Sequence, residues 1–525
     1  MNIFKSPCDE AVMSVGKLDS PCAKKLGPWI LAATILGSSM SFIDGTVVNV
    51  ALPALQANLN ATATDVQWVV EAYALFLAAL LLFGGSLGDR FGRRLIYSIG
   101  ISVFALASLW CGLAPNVHQL IIARAIQGVG GALLVPGSLA IISASFAEED
   151  RGKAIGTWSG ATAITTALGP VLGGFLIEHV SWRAVFFLNL PIAAAVLLLV
   201  FRFVPETRDK DAEGRLDLLG ASLATISLGG IVYGLIESAN VGFRSPVVLG
   251  ALIGGVGALM VFVFVEARVR FPMMPLSLFR SRDFAGANLL TLFLYAALAG
   301  TLFFVPLNLI QVQSYNPTKA GAALLPFILI MFLMSRWSGG LVKRYGSRLP
   351  LVVGPTIAAA GFALFVVPNV GGSYWKTFFP PMAVLGLGMA ITVAPLTTTV
   401  MNSVKQSHAG IASGINNAVS RTAGLLAVAV LGVIMFQTFN ACLDQRLYPI
   451  NVPQQVRDEL GAERIKLAAM QVPAGLNDDT KLAIKQAIDE CFISGFRRVT
   501  LIGAALAFGS SLIALVMLRG RHAQP

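Results

Sequence analysis

Charge is what this sequence has least of. Only 12% of its 525 residues are Asp, Glu, Lys or Arg, and 56% are hydrophobic, whereas a soluble globular chain carries roughly 25% charged residues. That balance excludes an ordinary soluble domain. Histidine is scarce too: His118, His179, His408 and His522 are scattered near the ends of apolar runs. They form no metal or nucleophile cluster, which argues against an enzyme and against a metal site. The five cysteines show no metal-ligand spacing; Cys8 and Cys22 fall in a polar N-terminal tail and Cys111 in an apolar run. Cys442 and Cys491 bracket the one long polar segment, and can pair if that side is oxidising or remain two separate thiols. A Gly-rich phosphate loop is missing as well, so no ATP site or cofactor is expected. Residues 1–25 do not read as a cleavable signal peptide, because they are polar and the apolar run from about Pro28 is long and lacks a cleavage site.

What fills the chain instead is a succession of apolar stretches of about 20 residues, the length that crosses a hydrocarbon layer. Runs such as 73–83 and 193–200 are continuously apolar, unlike the alternating ten-residue segments of a membrane β-barrel. Apolar runs and turn signals place spans near 28–56, 67–87, 95–114, 119–145, 154–178, 183–204, 216–237, 246–266, 284–310, 318–341, 350–368, 376–400, 410–438 and 497–518. The expected fold class is therefore an all-α polytopic membrane protein with fourteen transmembrane helices. The net charge of +11 is no sign of nucleic acid, because Arg90, Arg93, Arg94, Arg268, Arg270, Arg280, Arg282, Arg344 and Arg348 sit, with other cations, at every second boundary between runs. This positive-inside pattern puts both termini in the cytoplasm of a cell (inner or plasma) membrane. Residues 440–495 then lie outside, and read as short amphipathic helices at 453–468 and 478–493.

The chain repeats itself. Gly128, Gly130, Pro136 and Gly156 are echoed by Gly386, Gly388, Pro395 and Gly414; Leu87, Arg90 and Gly92 by Leu341, Arg344 and Gly346; Pro53 by Pro306, at offsets of 253 to 259. The expected domains are a tail (1–27), a six-helix bundle (28–205), an inserted helix pair with its linkers (206–283), a second six-helix bundle (284–518, with an external loop at 439–496) and a short tail (519–525). Two parallel bundles around a site near the midplane are the layout of an alternating-access carrier.

Several polar residues stand out against this background. Asp44 lies about sixteen residues into the first span, roughly 24 Å along a helix, where an ionised carboxylate needs water or a partner and is a functional candidate; the alternative is a structural buried pair. Glu71, about one turn into span 2, can take a proton or meet a cationic substrate, or be a solvated carboxylate at the rim. Arg124 is a permanent charge in an apolar helix and needs an anion, unless it merely snorkels to the interface. Gly85, Gly88, Asp89, Arg90, Gly92 and Arg93 join spans 2 and 3 and can latch two helix ends, the alternative being arginines that only anchor topology; the echo has Lys343 in place of Asp89. In span 5, Gly160, Gly169, Pro170, Gly173 and Gly174 permit a bend and close backbone contact, or serve generic packing. Asn416, Asn417 and Arg421 in span 13 and Gln311 and Gln313 near an outer mouth are candidate cavity-lining groups.

These residues resemble the major facilitator superfamily, in particular its fourteen-helix drug:proton antiporters of the EmrB/QacA type. The likeness rests on Asp44-Gly45-Thr46-Val47-Val48-Asn49-Val50-Ala51-Leu52-Pro53, the 85–94 loop, Arg124-Ala125-Ile126-Gln127-Gly128-Val129-Gly130 and Gly160 with Gly169-Pro170-Val171-Leu172-Gly173-Gly174, with support from 182–191 and 216–220. The resemblance implies that Asp44 belongs to the proton and substrate pathway, that Asp89, Arg90 and Arg93 form a cytoplasmic gate, that Arg124 assists proton transfer, and that Gly169-Pro170 marks an antiporter. It implies proton-driven efflux of amphipathic drugs or antimicrobials; export of one endogenous metabolite, uptake by symport and a non-transporting sensor are the rivals. Spans 9–13 carry no acids, so a multiple-cation stoichiometry is not expected. The partners implied are a small-molecule substrate, protons and the bilayer, with a periplasmic adaptor left open.

Overall fold

The computed structural model describes residues 21–146, 148–208, 216–270, 272–404, 409–450, 453–473 and 475–519. Both expected tails fall largely outside this range, as do Lys210, Arg215 and Lys405. The described residues are helical and contain no strand. The main helices are α1 (Pro21–Leu59), α2 (Ala63–Phe91), α3 (Arg93–Leu113), α4 (Val117–Ser145), α5 (Glu148–His179), α6 (Asn189–Phe203), α7 (Leu218–Val241), α8 (Pro246–Glu266), α9 (Arg282–Leu307), α10 (Leu325–Ser338), α11 (Arg348–Leu364), α12 (Phe379–Asn402), α13 (Ala409–Leu447) and α14 (Asp478–Met517). Twelve helices among the described residues are long and apolar enough to cross a membrane. The chain is a multi-pass membrane protein. The count of fourteen would add α5 and the 17-residue α11, neither of which is among those twelve.

Local chemistry sets where the helices begin. Thr62 and Asp65 form a reciprocal capping box at the start of α2, Asn116 caps α4, Asp217 caps α7, Ser281 caps α9 and Asn477 caps α14. Each supplies an oxygen to an N–H that the first helical turn leaves open. Because the bilayer cannot satisfy backbone groups, long unbroken helices are the only spanning solution for such a chain.

Helix α7 covers one side of the junction between α2 and α13. Leu228, Val232 and Ile236 of α7 pack with Leu75 and Ala79 of α2 and with Leu425 and Ala429 of α13. Helix α8 lies on α7 where Gly230 and Gly255 meet backbone to backbone, and turns Ile253, Val256, Met260, Val263 and Phe264 outward.

One expectation is corrected. Residues 478–493 are not a separate amphipathic helix but the first turns of α14, which runs unbroken for 40 residues; α13 is 39 residues long. A spanning helix needs about 20, so both project well beyond the apolar layer at the same end. Sequence reading split α14 because its first half is polar outside and apolar only on the face that meets α13, where Ile484, Ile488 and Phe492 are buried. Cys442 and Cys491 form a disulfide between the two projecting segments, with Cα atoms 5.4 Å apart. A short helix (Gln454–Glu463) and a 3-10 turn (Arg464–Ala469) fold back over the top.

The disulfide closes a 49-residue loop, and such a cross-link is worth about 2–4 kcal/mol. Cys442→Ser should leave the membrane region folded and make the 448–477 segment cleavable at lower protease concentrations. Limited proteolysis with and without reductant checks this: reductant should sensitise the native protein to the level of the variant and leave the variant unchanged.

Candidate functional site

The centre of the N-terminal half holds a closed polar network in apolar surroundings. Asp44 on α1 is 2% exposed and Arg124 on α4 is 1% exposed. Arg124 Nη1 donates to Asp44 Oδ2 at 2.5 Å and to Gln127 Oε1 at 2.7 Å, and its Nε donates to the Val69 carbonyl on α2 at 2.9 Å. Asp44 Oδ1 accepts from Gln127 Nε2 at 2.9 Å and from Asn189 Nδ2 at 3.5 Å. Ser108 on α3 accepts from both amides, at 2.8 and 3.2 Å. The guanidinium lies over the Tyr73 ring, 4.4 Å from its centroid, and Tyr73 in turn meets Ser41 at 2.7 Å. Helices α1, α2, α3, α4 and α6 thus converge on a single ion pair. Two charges this deep persist only because each has several partners, and the i, i+3 spacing of Arg124 and Gln127 presents both to Asp44 from one helix face. Asn189 Oδ1 is buried without a donor, which leaves one open acceptor beside Asp44.

Helix α5 lies against α1 one turn further on. A Cβ at Gly169 would sit 2.2 Å from Thr46 Oγ1, and one at Gly173 would sit 2.8 Å from Val47. Gly174 and Gly321 do the same work between the halves, since a Cβ there would meet the Pro317 and Pro170 carbonyls at 2.4 and 2.1 Å. Gly160, by contrast, has open space around it, and α5 continues as one helix through Pro170. Further bonds close the same end of the molecule: Gln311 to Gln56 at 2.9 Å, Gln56 to the Lys466 carbonyl at 3.1 Å, Lys466 to Asn60 at 2.9 Å, and Asn316 to Glu178 at 3.0 Å. Gln311 bonds Gln56 and lines a small pocket with Gln56, Gln67 and Lys466, and Gln313 bonds Asn308 and the 369–371 turn.

Residues 34–428 match the Major Facilitator Superfamily. The chain belongs to that superfamily. It is 33% identical over 498 residues to Multidrug resistance protein Stp of Mycobacterium tuberculosis (strain CDC 1551 / Oshkosh), covering 93% of this chain and 90% of that protein. To the Tetracenomycin C resistance and export protein of Streptomyces glaucescens it is 32% identical over 506 residues, covering 95% and 92%. Among solved structures, a bacterial homologue of the human lysosomal transporter Spinster, in an inward-facing and unoccupied conformation, has the same fold with a TM-score of 0.63 at 16% identity, covering 93% of this chain and 98% of that one.

Elsewhere in this major facilitator protein the gate residues are placed differently from the expectation. Helix α2 runs through Gly84, Gly85, Gly88, Asp89 and Arg90 to Phe91, so the turn itself is the single residue Gly92, whose φ of +124° excludes a side chain. The glycines before it are helical; at Gly84 a Cβ would meet the Ala132 carbonyl of α4 at 2.1 Å. Asp89 pairs with Arg93 at 2.8 Å across the turn, and Arg90 lies by the Phe91 ring. Glu206, which sequence reading missed, accepts from the backbone N–H groups of Arg94 and Leu95 at 3.0 and 3.1 Å. It thereby caps α3, whose N-cap Gly92 makes no side-chain bond, and favours the positive end of the helix dipole.

Glu71 lies eight residues into α2, which starts at Ala63, and is 1% exposed with Oε2 unpartnered. It is two turns deep, and the solvated-rim reading is corrected: the helix begins four residues earlier than the apolar run suggests. It shares no bond with the Asp44 network. Asn416 donates to Thr291 at 2.7 Å and Asn288 at 3.2 Å, Asn417 is exposed, and Arg421 Nε is buried without a partner. Gln127, Ser108, Asn189 and Tyr73 were passed over because a lone amide or hydroxyl in an apolar run carries no signal until the partner helix is known. The i+3 spacing of Gln127 from Arg124 was the one available clue.

Removing one member of a buried pair costs about 3–5 kcal/mol, because the other charge stays behind. Arg124→Gln and Asp44→Asn should each lower the detergent melting temperature, and Asp44→Asn/Arg124→Gln should melt above the level that adding the two losses gives. A strictly additive result would mean the residues do not interact.

Proposed function

We propose that this protein exports amphipathic small molecules, drugs or antimicrobials among them, across the cell membrane in exchange for protons. The observation that carries the reading is the Asp44–Arg124 pair, an ionisable carboxylate held at membrane depth by a permanent cation, the class of group that marks proton relays in transporters. The printed names of its relatives, a multidrug resistance protein and a resistance and export protein, support the same direction and substrate class.

Fourteen spans follow if α5 and α11 are counted, with 28–205 and 284–518 as the moving bundles and 206–283 as the inserted unit. The positive-inside bias puts Gly92 and both termini in the cytoplasm and the disulfide outside. Under that orientation the bonds around Gln56, Gln311 and Gly174 close the outer face.

Protonation of Asp44 removes the counter-charge of Arg124 and weakens the bond between α1 and α4. Helix α1 is also packed on α5 through Thr46 and Val47, and α5 carries the Gly174 contact with the other half. Loss of charge at Asp44 can therefore reach the outer seal through two packed helices. Glu71 serves as a second proton acceptor, while Asp89, Arg90 and Arg93 hold the cytoplasmic gate with Glu206 behind them. Arg421, Asn416 and Asn417 line the substrate path from the second bundle.

Reconstituted vesicles with an imposed pH difference test the reading. A lipophilic cationic dye should move against its gradient as protons run down theirs. Asp44→Asn should reduce this to the rate of empty vesicles while dye binding persists, and Glu71→Gln should slow it. Equal dye movement with and without the pH difference overturns proton coupling, and no movement of any dye by folded protein overturns drug export.

A further inference from the structure

A cavity of about 460 Å³ lies between the inserted pair and the two bundles, in the size range of small-molecule sites. Its walls come from α2 (Ala78, Leu82), α7 (Ala224), α8 (Leu259, Phe262), α9 (Ala285, Leu289), α13 (Ala418) and the 267–281 linker (Met273, Phe279). Asn288, Ser227 and Thr422 are the few polar side chains on its wall, and the first two are already engaged. Asn288 donates to the Phe284 carbonyl and accepts from Asn416, and Ser227 donates to the Ala224 carbonyl. The space asks for hydrocarbon.

Its mouth is lateral. Leu259 and Leu289 line it and are still 38% and 37% exposed on the outer surface, and Leu259 belongs to the face of α8 that the protein leaves unpacked. The opening is therefore at membrane depth, at the end where Gly92 lies, and not on water.

The rim is cationic. Arg282, Ala285 and Leu289 share one face of α9 at i, i+3 and i+7, Arg282 donates one N–H to the Val516 carbonyl beside the lining residue Met517, and Arg280 follows Phe279; both arginines are exposed. Three nearby acids are engaged, Glu266 with the Met274 N–H, its neighbour Asp217 with the Gly220 N–H and Asp283 with the Arg519 N–H. A basic rim around an apolar slot between membrane helices matches an anionic lipid headgroup with its chain behind it.

We propose that this cavity holds an acyl chain of an anionic phospholipid from the adjacent leaflet, with the phosphate held by Arg280 and Arg282. The lipid wedges the inserted pair against both bundles. It is a resident ligand and not the transported molecule.

Native mass spectrometry of the detergent-purified full chain, titrated with phosphatidylglycerol or phosphatidylcholine, tests the assignment. The wild type should bind phosphatidylglycerol more tightly, and Arg280→Gln/Arg282→Gln should weaken that binding about 30-fold and weaken phosphatidylcholine, whose phosphate is offset by its choline cation, much less. Ala285→Trp should displace both lipids by filling the slot, and Ala224→Phe should do the same from the opposite wall if the first variant does not fold. Unchanged lipid binding in the folded variants overturns the proposal. So does retention of lipid with loss of dye binding, which gives the cavity to the exported molecule instead.

Discussion

A full charge inside the hydrocarbon layer must be answered by another, and this requirement shapes the N-terminal half. Arg124 cannot shed its proton, so it draws Asp44, Gln127, a carbonyl of α2 and the face of Tyr73 around it. Five helices are held at one point as a result. An apolar replacement of the same shape is often as stable or more so, so the stability of the fold does not by itself account for the pair.

The rest of the molecule is arranged so that this point can matter elsewhere. Helix α5 touches α1 and the opposite half along the same ridge of glycines, which lets a shift of α1 be felt at the outer junction without a flexible element between them. At the other end, Asp89, Arg93 and Glu206 bond within the first half. The junction between the halves is therefore made of hydrogen bonds and small-residue contacts, whereas the first half is internally braced by ion pairs.

Much of this was legible in the chain before folding. An acid, a permanent cation and a glycine-proline ridge in apolar runs identify themselves, because a bilayer tolerates so few alternatives. Neutral partners do not: Ser108, Gln127 and Asn189 become meaningful only once three helices are packed together. The turn at Gly92 was read too wide because the run from Gly84 to Arg94 looks like a loop by composition, although backbone satisfaction keeps it helical almost to the end. Glu206 lies 112 residues from the N–H it caps, a distance no local pattern spans. Likewise α14 was divided at the water interface, where apolar periodicity narrows to the one face that meets α13.

The bridge between Cys442 and Cys491 joins α13 to α14, and both belong to the same half. A covalent strap so placed does not shackle the transport cycle; it turns two cantilevered rods into a single beam. The cap is built on that beam and meets the first half at Lys466, which bonds Gln56 and Asn60. If α13 and α14 move as that single beam, the cap travels with them and leaves Gln56 and Asn60 behind.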